Sequence, residues 1–208
     1  MFQTLAQGGL IMIPIGICSL LGLTVIIERF IALRRARVIP ESIVDLTERY
    51  SADTSIEKAV QRCDRERGAF ARIIRECITA RRLEHAQVIE TMHATGRTQV
   101  ARLERGLIVL EIVANITPLL GLLGTVLGMI TVFNAITVQG VGNPQVLSDG
   151  ISKALITTVA GLSVAIPAVA CHSWLSRRID DYATEMQERA TVFIVRLLAI
   201  ERERDSDG

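Results

Sequence analysis

The chain has 208 residues, half of them hydrophobic and 22% of them charged, and its formal net charge at pH 7 is +1. This balance does not predict a nucleic-acid-binding surface, because the basic stretch between positions 28 and 111 also carries 13 acidic residues. The apolar residues are concentrated in blocks, which argues against a single soluble globular domain.

Three apolar blocks predict three transmembrane helices. Met1 to Ile27 has no charged side chain, and the same holds between Ile112 and Asp149 and, apart from His172, from Ala154 to Ser176. A bilayer core of about 30 Å needs about 20 helical residues, so each block is long enough to span it. We therefore predict an all-α integral membrane protein in which two of the three spanning helices are long and extend into a cytoplasmic helical domain. The predicted segments are a first transmembrane helix at 1–30, a cytoplasmic helical loop at 31–105, a second transmembrane helix at 106–138, an external turn at 139–149, a third transmembrane helix at 150–174, and a cytoplasmic helix and tail at 175–208.

The distribution of basic residues predicts the orientation. Residues 28–105 hold 16 of the 23 Lys and Arg, and residues 175–208 hold six. Because basic loops stay in the cytoplasm, the amino terminus is expected outside and the carboxyl terminus inside. The Arg cluster follows the first apolar block instead of preceding it, so we expect that block to be retained and not cleaved as a signal peptide.

Two local patterns predict helix boundaries. Apolar residues step by three or four without a breaker from about Glu84 to Val138, which predicts one helix of roughly 80 Å. Thr54 followed by Glu57 predicts a capping box at the start of a shorter helix. A similar stripe continues past the third block, at Ile179, Tyr182, Met186, Phe193, Leu197 and Ile200. These stripes fit either a bundle that buries its own core or packing between copies of the chain.

Small residues and hydroxyls mark the second and third membrane blocks. Apolar side chains gain little from association inside a bilayer, so close helix packing relies on small residues and hydrogen bonds. Thr125 and Thr158 carry hydroxyls that can solvate a proton or a neighbouring carboxyl group. Each can equally bond its own helix backbone. The residues predicted for helix packing or the wall of a pore are Gly121, Gly124, Gly128, Gly161 and Pro167.

The middle of both blocks lacks any acidic group. Proton-coupled membrane proteins usually mark their path with an intramembrane ionisable residue, so a proton carrier here would have to come from another subunit. Asp149 and Lys153 are predicted at the outer mouth, where Lys153 is either an interfacial anchor or part of the vestibule. Pro167 is expected to bend the third helix.

No enzyme, metal or cofactor site is predicted. A nucleophile with an adjacent base is missing, as are a zinc spacing around His85 and His93 and a phosphate-binding glycine loop. The four cysteines show no CxxC spacing, and we expect inert thiols and no disulfide.

The segments TPLLGLLGTVLGM (117–129) and GISKALITTVAGLSVAIPA (150–168) resemble the signature helices of the ExbB/TolQ/MotA family of proton-channel proteins. Three spans make the chain more similar to the ExbB and TolQ branches than to the flagellar stator branch, and the resemblance is closest to ExbB. The resemblance implies a homo-oligomeric ring, described as a pentamer, around a dimeric ExbD- or TolR-like partner. The single Asp of that partner's membrane helix would face Thr125 and Thr158, in a bacterial inner membrane. Proton flow would then energise a TonB- or TolA-like protein.

The match has one departure and leaves alternatives. The family commonly has Glu where this chain has Lys153, so any role of that Glu is not carried over. The leading function is a proton-conducting motor subunit for TonB-dependent outer-membrane transport. A TolQ-like subunit for envelope integrity is the nearest alternative, and a non-conducting membrane scaffold is an alternative of another class.

Overall fold

A computed structural model describes residues 9–51, 54–139 and 144–206, and within these ranges it contains eight helices and no strand. The prediction of an all-α protein is therefore confirmed for the described part of the chain. Residues 140–143 of the predicted external turn lie outside it. The helices are α1 (Met12–Ala32), α2 (Arg35–Val38), α3 (Glu41–Glu48), α4 (Ile56–Arg65), α5 (Ala69–Thr79), α6 (His85–Glu104), α7 (Leu107–Gln139) and α8 (Pro144–Ser206).

Three of the described helices are long and apolar enough to cross a membrane. The candidate spans are Met12–Ala32, Leu107–Thr137 and Leu147–Glu203. Their outer faces expose large apolar side chains, such as Leu122 and Ile166. Such faces suit lipid or another apolar helix, because in a bilayer the helical backbone satisfies its own hydrogen bonds. The prediction of three spanning helices is confirmed.

The chain forms two compact units. The membrane unit comprises Met1–Glu28 and Gly106–Trp174. The helical unit comprises Arg29–Arg105 and Leu175–Gly208, and it contains helices α2 to α6. Helix α8 runs through 63 residues, so the expected continuation of the third spanning helix is found.

Two predicted helix boundaries are wrong. The single helix expected from Glu84 to Val138 is divided, because α6 ends at Glu104 and α7 begins at Leu107. Gly106 lies in the turn between them, where glycine's low helix propensity favours an interruption. The capping box expected at Thr54 is also absent. Ser55 is the N-cap of α4 and makes no side-chain cap bond, and the Thr54 hydroxyl instead accepts from the Ser51 amide at 3.1 Å.

The helical unit has a core built on one stripe of α8. Leu175, Ile179, Met186, Phe193 and Leu197 are at most 1% exposed. Burying such a side chain contributes about 1.5–3 kcal/mol. The ring of Tyr50 packs edge-on against Phe193, with 5.3 Å between the ring centroids. The stripe predicted from the sequence therefore lies in a core of the chain's own helices.

Polar side chains tie α8 to the shorter helices of this unit. The Tyr182 hydroxyl donates to the carbonyl of Leu33 at 3.1 Å and accepts from Arg178 Nε at 2.9 Å. Arg196 donates to the Thr47 carbonyl at 2.8 Å and also to the Glu48 carbonyl. These carbonyls end α3 and have no partner further along that helix, so Arg196 stabilises its C-terminus.

Cys63 and Cys77 are buried free thiols of the helical unit. Burial raises the pKa of Cys63 to about 11 and that of Cys77 to about 12. The thiolate is the reactive form, so both side chains behave as small apolar groups at neutral pH.

In the membrane unit, α7 and α8 are antiparallel and touch through their backbones. Gly121 faces Gly161, whereas Gly128 faces Ala154 and Gly150. A Cβ at Gly121 would lie 3.1 Å from the Thr157 carbonyl oxygen. Ordinary side chains at these positions would force the two helices apart.

Replacing Gly161 with alanine is expected to weaken this contact by about 1–3 kcal/mol, because added bulk in a close-packed interior is destabilising. The new Cβ would lie 2.7 Å from the Thr117 carbonyl oxygen, a backbone atom that cannot rotate away. Gly16→Ala in α1 is the matched control, because a Cβ there meets no atom within 4 Å. Both variants gain the same helix propensity, so the difference between their thermal unfolding midpoints in detergent reports the contact. Equal midpoints would contradict close packing at Gly161.

A second prediction concerns an ion-pair network in the helical unit. Glu185 accepts from Arg35 at 2.7 Å and from Arg189 at 2.9 Å. Burial alone would raise the pKa of Glu185, but the hydrogen bonds from the two arginines outweigh it, and the pKa lies below its ordinary value of 4.5. A carboxyl with a lowered pKa stabilises the fold above its unfolded pKa, and that stability is lost as the pH falls through the folded pKa.

We therefore expect Glu185→Gln to lower the free energy of unfolding at pH 7 by up to about 1 kcal/mol, a small effect because the pair is partly exposed. The difference from the unsubstituted chain should shrink as the pH falls below 4.5. Glu188→Gln, at an exposed position on the same helix, is the control. Circular dichroism melts of the full chain at several pH values measure both. A loss of the same size at every pH would show that Glu185 acts through packing and not through charge.

Candidate functional site

The two threonines predicted for a proton path lie on α7 (Thr125) and α8 (Thr158), and both are partly exposed. The Thr158 hydroxyl donates across the interface to the Gly121 carbonyl at 3.2 Å. The Thr125 hydroxyl donates to the Leu122 carbonyl of its own helix at 2.6 Å. The alternative of bonding to the helix's own backbone thus describes Thr125, whereas Thr158 bonds the neighbouring helix.

Helix geometry places both hydroxyls on the same edge of the pair. At about 100° per residue, each threonine is rotated about 60° from the middle of its helix's contact face, in the same sense along the chain. In two antiparallel helices that face each other, the same sense of rotation leads to the same side. We call this side, defined by Thr125 and Thr158, the threonine edge.

Helix α1 packs on the opposite edge. Gly22 of α1 lies against Val113, and a Cβ at Gly22 would be 3.3 Å from a methyl carbon of that side chain. Val113 is rotated from the α7 contact face in the sense opposite to Thr125. Ile15 and Gly22 are buried one above the other on the inward side of α1. The threonine edge is therefore left uncovered by α1.

Lys153 also lies on the α1 side. A Cβ at Gly9 would lie 2.6 Å from Lys153 Cε and 2.9 Å from Nζ, so the lysine stem passes directly over this glycine. Gly9 has a φ of +73°, a conformation that is open to glycine and strained for other residues. Asp149 is exposed one turn before Lys153, and within the described ranges no ion pair joins the two.

The glycines proposed as packing residues lie on the contact face between the threonine edge and the α1 side. Gly121, Gly124, Gly128 and Gly161 are all buried. Pro167 lies inside α8 and is exposed. Its missing amide leaves the carbonyl four residues earlier without its helical donor, and the expected bend remains a prediction.

Two further threonines of the membrane unit are buried. Thr157 is 1% exposed, donates to the Ala154 carbonyl at 2.7 Å and fills the space beside Gly124. A Cβ at Gly124 would lie 2.5 Å from the Thr157 Cβ. Thr117 is fully buried and donates to the Val113 carbonyl at 2.5 Å. Thr157 and Thr158 differ in their position around α8. Thr157 lies on the contact face with Gly161 and Ala154, whereas Thr158 lies at the edge of that face.

The site carries hydroxyls and no charge. Ionisable side chains occur at the ends of the apolar stretches, at Glu111, Asp149, Lys153 and His172, and none lies between Ile112 and Ser148 or between Ala154 and Ala170. A threonine hydroxyl has one donor and two acceptor lone pairs. Thr125 and Thr158 each use the donor on a carbonyl, so their lone pairs can still accept from a protonated acid. In the described ranges, no group of three His, Cys, Asp or Glu side chains is placed to hold a metal ion.

Comparison with known proteins gives the family. Residues 64–188, more than half of the chain, match the model of the MotA/TolQ/ExbB proton channel family. An ExbB-like protein of Synechocystis sp. is 34% identical over 201 residues, which cover 90% of this chain and 76% of that protein. An ExbB homologue of Methanothermobacter thermautotrophicus is 28% identical over 176 residues, covering 84% of this chain and 62% of the homologue. The Tol-Pal system protein TolQ of Haemophilus influenzae is 33% identical over 108 residues, covering 50% of this chain and 47% of TolQ.

The chain thus spans less than two thirds of the length of the Methanothermobacter relative and about half of the length of TolQ. The family is one of membrane proton channels and not of enzymes, and with three candidate spans this chain is a multi-pass membrane protein. The resemblance seen in the two signature segments is confirmed, and the chain belongs to the MotA/TolQ/ExbB proton channel family.

Proposed function

We propose that the chain is the proton-conducting motor subunit of a complex that uses the proton motive force to energise TonB-dependent outer-membrane transport. The proposal rests on the threonine edge, where two hydroxyls lie on the side of the helix pair that α1 leaves open. A path for protons needs groups that exchange hydrogen bonds without holding a charge. A threonine hydroxyl is such a group, because it can both donate and accept a hydrogen bond.

The proton carrier in this proposal is a carboxyl group from a partner. The apolar stretches of α7 and α8 contain no acid of their own, and a buried carboxylate is costly unless it is hydrogen-bonded. An ExbD- or TolR-like protein with one membrane helix would supply a single Asp. Several copies of this chain, a pentamer by the family resemblance, would surround the membrane helices of a dimeric partner with their threonine edges turned inward.

Each hydroxyl can serve both protonation states of that Asp. While the acid is protonated, it donates to the threonine oxygen, and the threonine proton stays on the backbone carbonyl. Once the acid is ionised, the hydroxyl rotates and donates to the carboxylate, since hydrogen bonds to ions are the stronger ones. The site therefore accommodates an Asp as it takes up and releases a proton.

The orientation completes the proposal. The Arg-rich helical unit would lie in the cytoplasm of a bacterium, the spans in its inner membrane, and the amino terminus in the periplasm. Asp149 and Lys153 would then lie at the outer mouth. Lys153 would act there as an interfacial anchor, because its stem contacts Gly9 on the α1 side and not the threonine edge.

A TolQ-like role is the nearest alternative, supported by the similarity to the Haemophilus protein over half of the chain. It uses the same threonine edge and differs in the protein that the motor drives. Co-purification with a TonB-like or a TolA-like protein distinguishes the two roles. A non-conducting scaffold is the alternative of another class, and measurement of proton flux tests it.

Thr158→Val should reduce proton flux about 10-fold or more in liposomes that contain the full chain and its Asp-bearing partner. The reason is that a hydrogen bond to a charged group contributes about 1.5–3 kcal/mol, and about 1.4 kcal/mol corresponds to a tenfold change in rate. Thr158→Ser keeps the hydroxyl and should retain most of the flux. A pH-sensitive dye inside the liposomes measures the rate.

Ser163→Ala is the matched control, because Ser163 is an exposed hydroxyl of the same helix that bonds the Val159 carbonyl at 2.7 Å. Its flux should not change. Thr125→Val removes a hydroxyl of the path without breaking a bond between the two helices, because the Thr125 hydroxyl bonds only its own helix. If Thr158→Val and Thr125→Val both conduct normally within an intact complex, the proposed path is wrong.

A further inference from the structure

An open cavity of about 630 Å³ in the helical unit is lined by arginines that the proposed proton path does not use. Three stretches of the chain form it, at positions 32–40, 66–72 and 99–103. The first two stretches are in close contact, because a Cβ at Gly68 would lie 2.7 Å from Pro40 Cδ and 2.9 Å from the Arg37 carbonyl oxygen. The stretch before α5 is thus held directly against the end of α2.

The charge around the cavity is strongly positive. Four arginines line it, and Glu66 is the one acidic residue among its lining residues. Glu66 accepts a hydrogen bond from Ser42 at 2.7 Å, which directs its carboxylate to a neutral partner. The lining arginines are Arg37, Arg67, Arg72 and Arg102. Within the described part of the chain, none of these four guanidinium groups lies within ion-pair distance of a carboxylate.

The buried side chain of Gln99 forms part of the cavity wall, and this residue is 6% exposed. The Gln99 Oε1 atom accepts from Arg72 at 3.3 Å, and this bond fixes the position of both side chains. Arg72 is therefore held at the cavity by a neutral partner, which leaves its charge uncompensated there.

We propose that this cavity binds a phosphate group, and that the phosphate belongs to an anionic phospholipid. Guanidinium groups bind phosphate oxygens through two parallel hydrogen bonds, and an anion among four unpaired arginines relieves their mutual repulsion. Chain connectivity favours a lipid as the source. Ala32, which lines the cavity, is the last residue of the candidate span Met12–Ala32, and Leu103 precedes the start of α7 by one turn. Basic pockets next to spanning helices are a typical site for anionic headgroups.

The test uses the purified full chain in a non-ionic detergent and three probes. These are dioctanoyl phosphatidylglycerol, dioctanoyl phosphatidylcholine and inorganic phosphate, with binding measured by titration calorimetry at low salt. Phosphatidylglycerol should bind at least about 10-fold more tightly than either other probe, because it combines a net negative phosphate with acyl chains. Arg67→Gln combined with Arg102→Gln should weaken its binding at least about 10-fold.

Arg62→Gln is the control, because Arg62 is an exposed arginine of the same unit that does not line the cavity. It should leave binding unchanged. Arg102→Lys keeps the charge and removes the two-pronged geometry, so it should give an intermediate affinity even if the double variant does not fold. Inorganic phosphate binding as tightly as the lipid would overturn the lipid as the source. Binding that survives in both cavity variants, or that Arg62→Gln weakens equally, would overturn the site.

Discussion

The direct backbone contact between α7 and α8 determines the geometry of the membrane unit. In a bilayer the lipid is as apolar as a leucine side chain, so helices associate through van der Waals contact and hydrogen bonds. Glycine at positions 121 and 161 allows the backbones to touch. At this distance the Thr158 hydroxyl reaches the Gly121 carbonyl. A bulkier residue at Gly121 would remove both the contact and this bond.

The two units are stabilised by different physics. The membrane unit relies on small residues and internal hydrogen bonds, and it holds its ionisable groups at the ends of its apolar stretches. The helical unit relies on a buried apolar stripe of α8 and on ion pairs such as Arg35 with Glu185 on its surface. Its four cavity arginines are an exception, since they lack acidic partners among the described residues. Unpaired cations clustered in this way favour a bound anion over a purely structural role.

The sequence predicts what depends on local pattern. The three spans follow from run length, the α8 stripe from its period, and the glycine face from spacing. The division at Arg105 and Gly106 was missed, because the apolar stripe continues through it. The different partners of Thr125 and Thr158 could not be predicted either, since they depend on the register between two helices. The position of α1 and the arginine cavity join residues distant in the chain, which no local pattern encodes.

The different bonds of the two threonines have a consequence for the proposed motor. If the Thr125 hydroxyl turns to a carboxylate, it gives up a bond within one helix, and the helix pair is unaffected. If the Thr158 hydroxyl turns, it gives up its bond to Gly121 on the other helix. A net hydrogen bond contributes about 0.5–1.5 kcal/mol, so ionisation of the partner's Asp would loosen the α7–α8 contact by that amount in the subunit it faces. In the proposed motor, proton release would then change the helix packing of the subunit that the Asp faces.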